Sequence, residues 1–199
     1  MIKLGIFILP NSDIKKKILF LKNNVKKKFG IQTYLNHLPH CTMYVFQTSK
    51  RNFKKVKKIK KISSISVKTK KSFEINKTDI FINDPITKKN TYIIKVKKNI
   101  FLSSLQKMVL GLFSKYALKK KKVFSNKLIN KNFRLFGYPF VGTNWKPHFT
   151  IASISKSKNQ KNFINIFKSI NIKNKQSLKS ISLYQIKKDK HRFVCKIKI

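Results

Sequence analysis

The sequence is poor in acidic side chains. Only five of its 199 residues are Asp or Glu, whereas 48 are Lys or Arg, so the formal net charge is +43. The five carboxylates lie scattered along the chain, and none belongs to a D-x-D or E-x-x-E pair. Two-metal nucleases and paired-carboxylate glycosidases both depend on clustered acids. The composition therefore argues against both classes of enzyme, and we expect neither a metal ion nor another cofactor.

Cysteine and long apolar stretches are also scarce. Cys41 and Cys195 are too few for a zinc cluster or a disulfide framework, and we predict that both are buried, inert thiols. No apolar run approaches the roughly 20 residues of a membrane span. The N-terminal segment lacks the apolar length and the cleavage site of a signal peptide. These absences predict a cytoplasmic protein that does not associate with membranes.

Arginine is rare among the many basic residues. The chain has only Arg51, Arg134 and Arg192, and every other basic residue is Lys. Base-specific recognition usually depends on Arg, whereas a field of lysines attracts polyanions without regard to sequence. We therefore expect nucleic acid as the partner or substrate. An AT-rich genome would also raise the Lys content, so this alternative explanation of the composition stays open.

The hydrophobic pattern predicts one domain that mixes helices and strands. Hydrophobic residues make up 41% of the chain, which suffices for a core, and no linker divides it. We therefore predict a monomer with a single domain over residues 1–199. Asn11 and Gly30 are placed to begin and end the first helix. The spacings predict strands at 3–9, 31–35, 38–46, 65–67, 73–75, 92–96, 148–154, 178–186 and 193–199, and helices at 14–29, 51–61, 101–116 and 163–170.

Two segments of the chain match each other. Residues 38–46 read LPHCTMYVF, and residues 146–154 read KPHFTIASI. Each segment is Pro-His-x-Thr at the start of an apolar strand, and each is followed by an amphipathic helix and alternating strands. This self-similarity predicts a duplicated structural unit.

The duplicated motif has a chemical meaning. Residues i and i+2 of a strand share a face, so His40 lies with Thr42 and His148 lies with Thr150, while Cys41 points into the core. If the two strands lie side by side, all four polar side chains converge on one cleft. One imidazole can accept a proton while the other donates one, and the hydroxyls can bind phosphate oxygens. We predict His40 and His148 as catalytic residues and Thr42 and Thr150 as phosphate-binding residues.

At these residues the sequence resembles the 2H phosphoesterase superfamily, particularly the LigT-like RNA 2′,3′-cyclic phosphodiesterases, also called 2′-5′ RNA ligases. The resemblance extends over nearly the whole chain. It implies an α+β, bilobal fold in which two antiparallel sheets are related by pseudo-twofold symmetry around a central cleft, with helices on the outer faces. It also implies metal-independent opening of a cyclic phosphate on RNA or on a small nucleotide. In that mechanism His148 activates water and His40 protonates the departing ribose oxygen, or the two roles are reversed.

The sequence departs from the family pattern directly after each motif. Family members commonly continue as His-x-Thr-Leu, where this chain has Met43 and Ile151, and Ser153 stands where an Arg often ends the second motif. The two motif histidines are 108 residues apart, which is longer than in compact members. These departures concern the substrate, for which 2′-5′-linked oligoadenylates and cyclic dinucleotides are alternatives.

The remaining candidate residues are three aromatic side chains and two histidines outside the motifs. Tyr138, Phe140 and Trp145 lie in the loop before the second motif, and they could either stack a base of single-stranded RNA or cover the core. His37 and His191 lack a hydroxyl at i+2, so we interpret both as surface or turn residues. A non-catalytic, basic RNA-binding domain is the second functional hypothesis. Two paired imidazoles argue against it, because binding alone does not require them.

Overall fold

The computed structural model describes residues 1–62, 70–119, 127–155, 160–188 and 190–199. Within these ranges the chain forms eight strands and five α-helices. The strands are β1 (Ile2–Ile8), β2 (Cys41–Thr48), β3 (Ser72–Phe81), β4 (Asn90–Lys97), β5 (His148–Ile154), β6 (Asn174–Ser177), β7 (Ser180–Lys187) and β8 (Lys190–Lys198). The helices are α1 (Ser12–Phe29), α2 (Lys50–Val56), α3 (Ile100–Phe113), α4 (Lys127–Phe136) and α5 (Gln160–Ser169).

The strands pair in the order β6-β3-β4-β5-β2-β1-β7-β8, and every neighbouring pair is antiparallel. The mixed fold with antiparallel pairing agrees with the prediction, but the described strands form one sheet and not two. Its two four-stranded halves meet through β5 and β2, which share only the Cys41–Phe149 pair. Each half twists as β-sheets do, so two strands that touch at one point diverge on either side of it.

The helices connect the two halves. α1 follows β1 in one half but packs against β5 in the other. α3 follows β4 and packs against β2 as well as β3. Buried side chains of these helices, such as Ile14 and Leu105, belong to one contiguous core that includes residues from both halves. Each fully buried aliphatic side chain of this kind stabilises the fold by about 1.5–3 kcal/mol.

The first helix begins and ends where the sequence predicts. The backbone N–H of Ile14 donates to the Asn11 side chain at 3.0 Å, and Asp13 lies in the first turn, where its charge complements the helix dipole. Gly30 follows the last turn with φ of 69°, a conformation that glycine adopts at little cost. Two other helices differ from the prediction. α2 ends at Val56, before the predicted residue 61, and α4 was not predicted.

The predicted strand at 31–35 is wrong. Thr33 makes a single bridge to Ser153, and Tyr34 then turns with φ of 72°. The buried Lys22 of α1 donates from Nζ to the carbonyl oxygens of three residues of this turn: Tyr34 at 2.5 Å, Leu35 at 3.2 Å and His37 at 3.1 Å. A lysine in the first helix thus satisfies backbone acceptors that a strand would have paired within a sheet.

Two predicted core positions are instead exposed. Alternation along residues 193–199 predicts that Phe193 shares a core face with Cys195 and Ile197, but the ladder between β7 and β8 skips Val194, and this bulge turns Phe193 to the opposite face. As a result, Phe193 is 51% exposed. The helical spacing of Phe163, Ile166 and Phe167 likewise predicts that all three face the core, but Ile166 of α5 is 53% exposed, whereas Phe163 and Phe167 are buried.

Some predictions fall outside the described residues. The strand predicted at 65–67 is one of these, and Asp189 also lies outside the described residues. None of the helices that the structure describes combines the length and the apolar character needed to cross a membrane.

Candidate active site

The two Pro-His-x-Thr motifs lie where the halves of the sheet meet. Cys41 pairs with Phe149 in antiparallel register. One position away on each strand, His40 therefore lies across from Thr150, and Thr42 lies across from His148. Cys41 and Phe149 are fully buried in the core. Side chains one position away point to the other face. The register therefore places four partly exposed side chains on one open face: His40, Thr42, His148 and Thr150.

A β-bulge follows each motif at the same position. The ladder between β1 and β2 skips Met43, and the ladder between β4 and β5 skips Ile151. Both bulge residues are fully buried. Bulges bend a strand and change the direction of its side chains, and they are common beside active sites. Met43 and Ile151, which replace the Leu of the family pattern, therefore fill the core and do not line the open face.

Both motif imidazoles make the same hydrogen bond. Nδ1 of His40 lies 2.5 Å from the carbonyl oxygen of Leu38, and Nδ1 of His148 lies 2.6 Å from that of Lys146. A carbonyl oxygen can only accept, so Nδ1 donates and carries the proton. In the neutral ring Nε2 is then the unprotonated nitrogen. Each motif thus holds its imidazole in the tautomer that can remove a proton through Nε2.

The charges around the two imidazoles differ. Burial is the main cause that lowers the pKa of His40 to about 3. Three nearby cationic or titratable groups act in the same direction: His191, His37 and Lys22. Burial also lowers the pKa of His148, but the carboxylate of Asp84 opposes that shift. Both imidazoles are therefore neutral at pH 7, and protonation is less unfavourable at His148.

A phenylalanine contacts each motif imidazole. The Phe7 ring lies 3.9 Å from the His40 ring between centroids, and the Phe81 ring meets the His148 ring edge-on at 5.0 Å. Phe7 lies over Gly5, where an added Cβ atom would overlap the phenyl ring. Gly5 therefore leaves the space that the Phe7 ring occupies, and the Phe7 ring in turn determines where the His40 imidazole can lie.

We interpreted His37 and His191 as surface or turn residues. His37 does lie in the turn after α1, whereas His191 lies in β8, where its ring is beside both His37 and His40. The His191 ring is 5.1 Å from the His40 ring and 5.0 Å from the His37 ring, between centroids. His37 is held close by the turn that Lys22 binds. His191 arrives from β8, near the other end of the chain, and no local spacing could have indicated this contact.

Lysine is also present on the open face. Lys95 of β4 is the cross-strand partner of His148, so the two side chains leave the sheet on the same side. Its Nζ lies 3.7 Å from a carboxylate oxygen of Asp79. Sequence analysis did not single out Lys95, because it is one of 48 basic residues and only the strand register distinguishes it.

Two of the three loop aromatics before the second motif, Tyr138 and Trp145, belong to the protein interior. Trp145 is only 3% exposed, and its Nε1 donates a 2.8 Å hydrogen bond to the carbonyl oxygen of Thr42. Trp145 therefore connects the two motifs and leaves no free face for a base. Tyr138 is partly buried against the core, where its ring lies 6.2 Å from Tyr44 and 5.7 Å from Phe140. Tyr138 and Trp145 therefore cover the core, the alternative we considered, and Phe140 is partly exposed beside Tyr138.

The described carboxylates have structural partners. Glu74 and Asp79 lie 3.5 Å and 3.7 Å from lysines of β4. Asp84 is buried in the turn after β3 and accepts from the backbone N–H groups of Ile86 and Thr87. Among the residues that the structure describes, no three His, Cys, Asp or Glu side chains are grouped so that they could hold a metal ion.

Comparison with solved structures identifies the fold. TT0787 of Thermus thermophilus superposes with a TM-score of 0.61 at 11% identity, over 98% of this chain and 97% of that one. A structure described as a phosphoesterase superposes with a TM-score of 0.50 at 11% identity, over 99% and 95% of the two chains. E. coli LigT in complex with 3′-AMP gives a TM-score of 0.49 at 12% identity, over 99% and 95%. Neither a protein-family model nor a curated protein sequence matches the chain.

The first two likenesses show that the chain has the fold of a phosphoesterase over nearly its whole length. This agrees with the mixed, antiparallel character of the fold that the motif resemblance implied, although the strands form one sheet. At such low identity the likeness concerns the path of the backbone.

We expect Gly5→Ala to displace the Phe7 ring and, through it, the His40 imidazole. The added methyl group overpacks the site, so the free energy of unfolding should fall by about 1–3 kcal/mol. Urea denaturation measures this loss, and the NMR signals of the His40 ring report the displacement. Gly111→Ala is the matched control, because a Cβ there meets nothing within 4 Å. Equal stability of the two variants, with unchanged His40 signals, would contradict the role assigned to Gly5.

Proposed function

We propose that this chain is a metal-independent phosphodiesterase of the 2H class that opens 2′,3′-cyclic phosphates at RNA ends or on small nucleotides. One observation carries the proposal: two copies of one motif meet on the same face, and each imidazole is held by the same Nδ1 hydrogen bond. A surface that only binds nucleic acid has no need of this arrangement. The phosphoesterase fold supports the proposal.

The arrangement suits attack of water on a phosphorus atom. With the phosphate between the motifs, the hydroxyls of Thr42 and Thr150 donate hydrogen bonds to its two non-bridging oxygens. Nε2 of one neutral imidazole takes a proton from water as the water oxygen bonds to phosphorus. The bond from phosphorus to one ribose oxygen breaks, and the other imidazole, protonated, gives that oxygen its proton. The products are a phosphate monoester and a free ribose hydroxyl.

We assign the base to His40 and the acid to His148. A base has to be neutral before the reaction, and the pKa of His40, lowered to about 3, keeps it neutral. An acid has to be protonated, and the carboxylate of Asp84 makes protonation easier at His148. The family resemblance suggests the opposite assignment, in which His148 activates water, so the two require a direct test.

The charge of the chain favours RNA as the substrate. A net charge of +43 attracts a polyanion and speeds its encounter with the protein. Each phosphate contact releases counterions, so RNA affinity should fall steeply as salt rises. The chemical step takes place between the motifs and should respond to salt much less. Oligoadenylates with 2′-5′ linkages and cyclic dinucleotides present the same phosphorus chemistry, and a substrate panel separates them.

We expect His40→Ala and His148→Ala each to lower the turnover of a cyclic-phosphate RNA about 10²- to 10⁴-fold, because each removes one proton-transfer group. Single-turnover hydrolysis in excess EDTA measures the loss. Equilibrium RNA binding should change little, since lysines dominate it, and Thr42→Ser should retain activity because it keeps the hydroxyl. Turnover near the wild-type level in either histidine variant would favour the RNA-binding hypothesis. A requirement for Mg²⁺ or Mn²⁺ would contradict the acid–base mechanism.

A nucleoside 3′-(p-nitrophenyl) phosphate should distinguish the acid from the base. Its leaving group departs without a proton, so a variant that lacks the acid should lose far less activity on this ester than on an ordinary diester. We expect the activity of His148→Ala, relative to wild type, to be at least about 10-fold higher on the p-nitrophenyl ester than on an ordinary diester, and we expect no such gain for His40→Ala. Steady-state release of p-nitrophenolate measures both. Recovery by His40→Ala alone would reverse the assignment and leave the phosphodiesterase proposal intact.

We expect kcat/KM to be highest below pH 6.5. The reaction needs one neutral and one protonated imidazole, and that combination is most populated between their two pKa values. Both pKa values lie below the usual 6.5 of histidine in the free protein. Activity should therefore rise as pH falls from 8 towards 6. A pH–rate profile with an unlabelled cyclic nucleotide tests this, and a maximum above pH 7 would contradict it.

A further inference from the structure

Phe193 is a large apolar side chain exposed on the same face as the candidate site. The strand register shows this, because directly paired residues, and residues two positions apart on one strand, share a face. It pairs with Tyr184 of β7, which pairs with Gly5 of β1, and Gly5 shares its face with Phe7. Phe7 and Tyr184 are buried, yet neither belongs to the main core. The bulge at Val194 is what moves Phe193 from the core face to this one.

A continuous series of rings connects Phe193 with His40. The Phe193 ring meets the Tyr184 ring at 5.6 Å and 72°, and the Tyr184 ring lies 6.4 Å from the His191 ring. The His191 ring is 5.1 Å from the His40 ring. The Tyr184 ring also packs against the Phe7 ring, at 5.7 Å between centroids, and this contact helps to hold Tyr184 in place. At the far end of the series, Phe193 is 51% exposed.

We propose that Phe193 is a stacking platform for a nucleobase of the substrate, at the nucleotide whose phosphate lies between the motifs. This inference rests on the proposed function for the position of the phosphate. Phe193 and His191 are two residues apart on β8, about 6.5 Å along the strand, and His191 touches His40. Three ring contacts, through Tyr184 and His191, thus separate Phe193 from the imidazole at the phosphate.

The chemistry of the platform fits a base better than another occupant. Every nucleobase has a π-face, so an aromatic ring binds it with little regard to sequence. This agrees with a chain that has only three arginines for reading base edges. The surrounding positive charge favours a ligand that carries phosphates. Of the loop aromatics that could have served instead, Trp145 is buried and Tyr138 is packed against the core, while Phe140 is partly exposed beside Tyr138.

Binding of a short RNA that ends in 2-aminopurine with a 3′-phosphate tests the platform. Stacking quenches the fluorescence of this base, and the ligand resembles a product, so no turnover is needed. Phe193→Ala should remove the quenching and weaken binding roughly 5- to 100-fold. Phe193→Leu should behave similarly although it keeps an apolar side chain, whereas Phe193→Trp should retain both signals. Phe20→Ala is the matched control, because Phe20 is 65% exposed on α1, whose residues take no part in the series of rings.

A base-free ligand separates stacking from general damage to the site. Ribose 3-phosphate should bind the wild type and Phe193→Ala equally. An equal loss for this ligand and the RNA, or no loss for either, would overturn the platform. If Phe193→Ala loses the base-dependent binding while no cyclic phosphate is hydrolysed by the wild type, the platform stands and the proposed function fails. If hydrolysis occurs and Phe193→Ala binds 2-aminopurine normally, only the platform fails.

Discussion

The pairing of Cys41 with Phe149 is the contact on which the candidate site depends. These two residues form the whole ladder between the halves of the sheet, and strand alternation then places a histidine and a threonine from each motif on the opposite face. A single pair cannot by itself hold two four-stranded halves together. Their relative position depends on the helices that pack across the junction and on the hydrogen bond from Trp145 Nε1 to the Thr42 carbonyl oxygen. Packing on the core face thus determines how closely the two motifs approach on the open face.

The electrostatics of the site follow from the shortage of acids. Burial and nearby cations keep His40 neutral, and the described carboxylates lie in turns or beside lysines. A bound phosphate would bring the negative charge that the protein itself does not place between the motifs, and an anion beside an imidazole raises its pKa. The substrate would thereby favour the protonated imidazole that its own cleavage requires. In a chain with a net charge of +43, such a site is better suited to an anionic ligand than to a neutral one.

The errors of sequence analysis have particular physical causes. The alternation of Phe193 with Cys195 and Ile197 predicts a shared core face, but one unpaired residue in β8 reverses the direction of Phe193. Trp145 looks like a loop aromatic available to a ligand, yet its ring is buried because its N–H finds an acceptor on the neighbouring motif. The strand predicted at 31–35 is a turn because a lysine of α1 binds its carbonyl groups. Each cause is a contact between residues that are distant in sequence or a bulge that composition does not reveal.

The sequence alone determined which four side chains carry the proposed chemistry, because the motif occurs twice and the period of a strand puts His and Thr on the same face. It also determined the mixed character of the fold and the burial of Cys41, while the antiparallel pairing was what the family resemblance implied. Only the tertiary structure decided that the two motifs meet, that Phe7 and His191 flank His40, and that Phe193 lies on the same face. The physical reason is that alternation along a strand is a local property. Which strands become neighbours, and where a bulge interrupts them, depends on packing over the whole core.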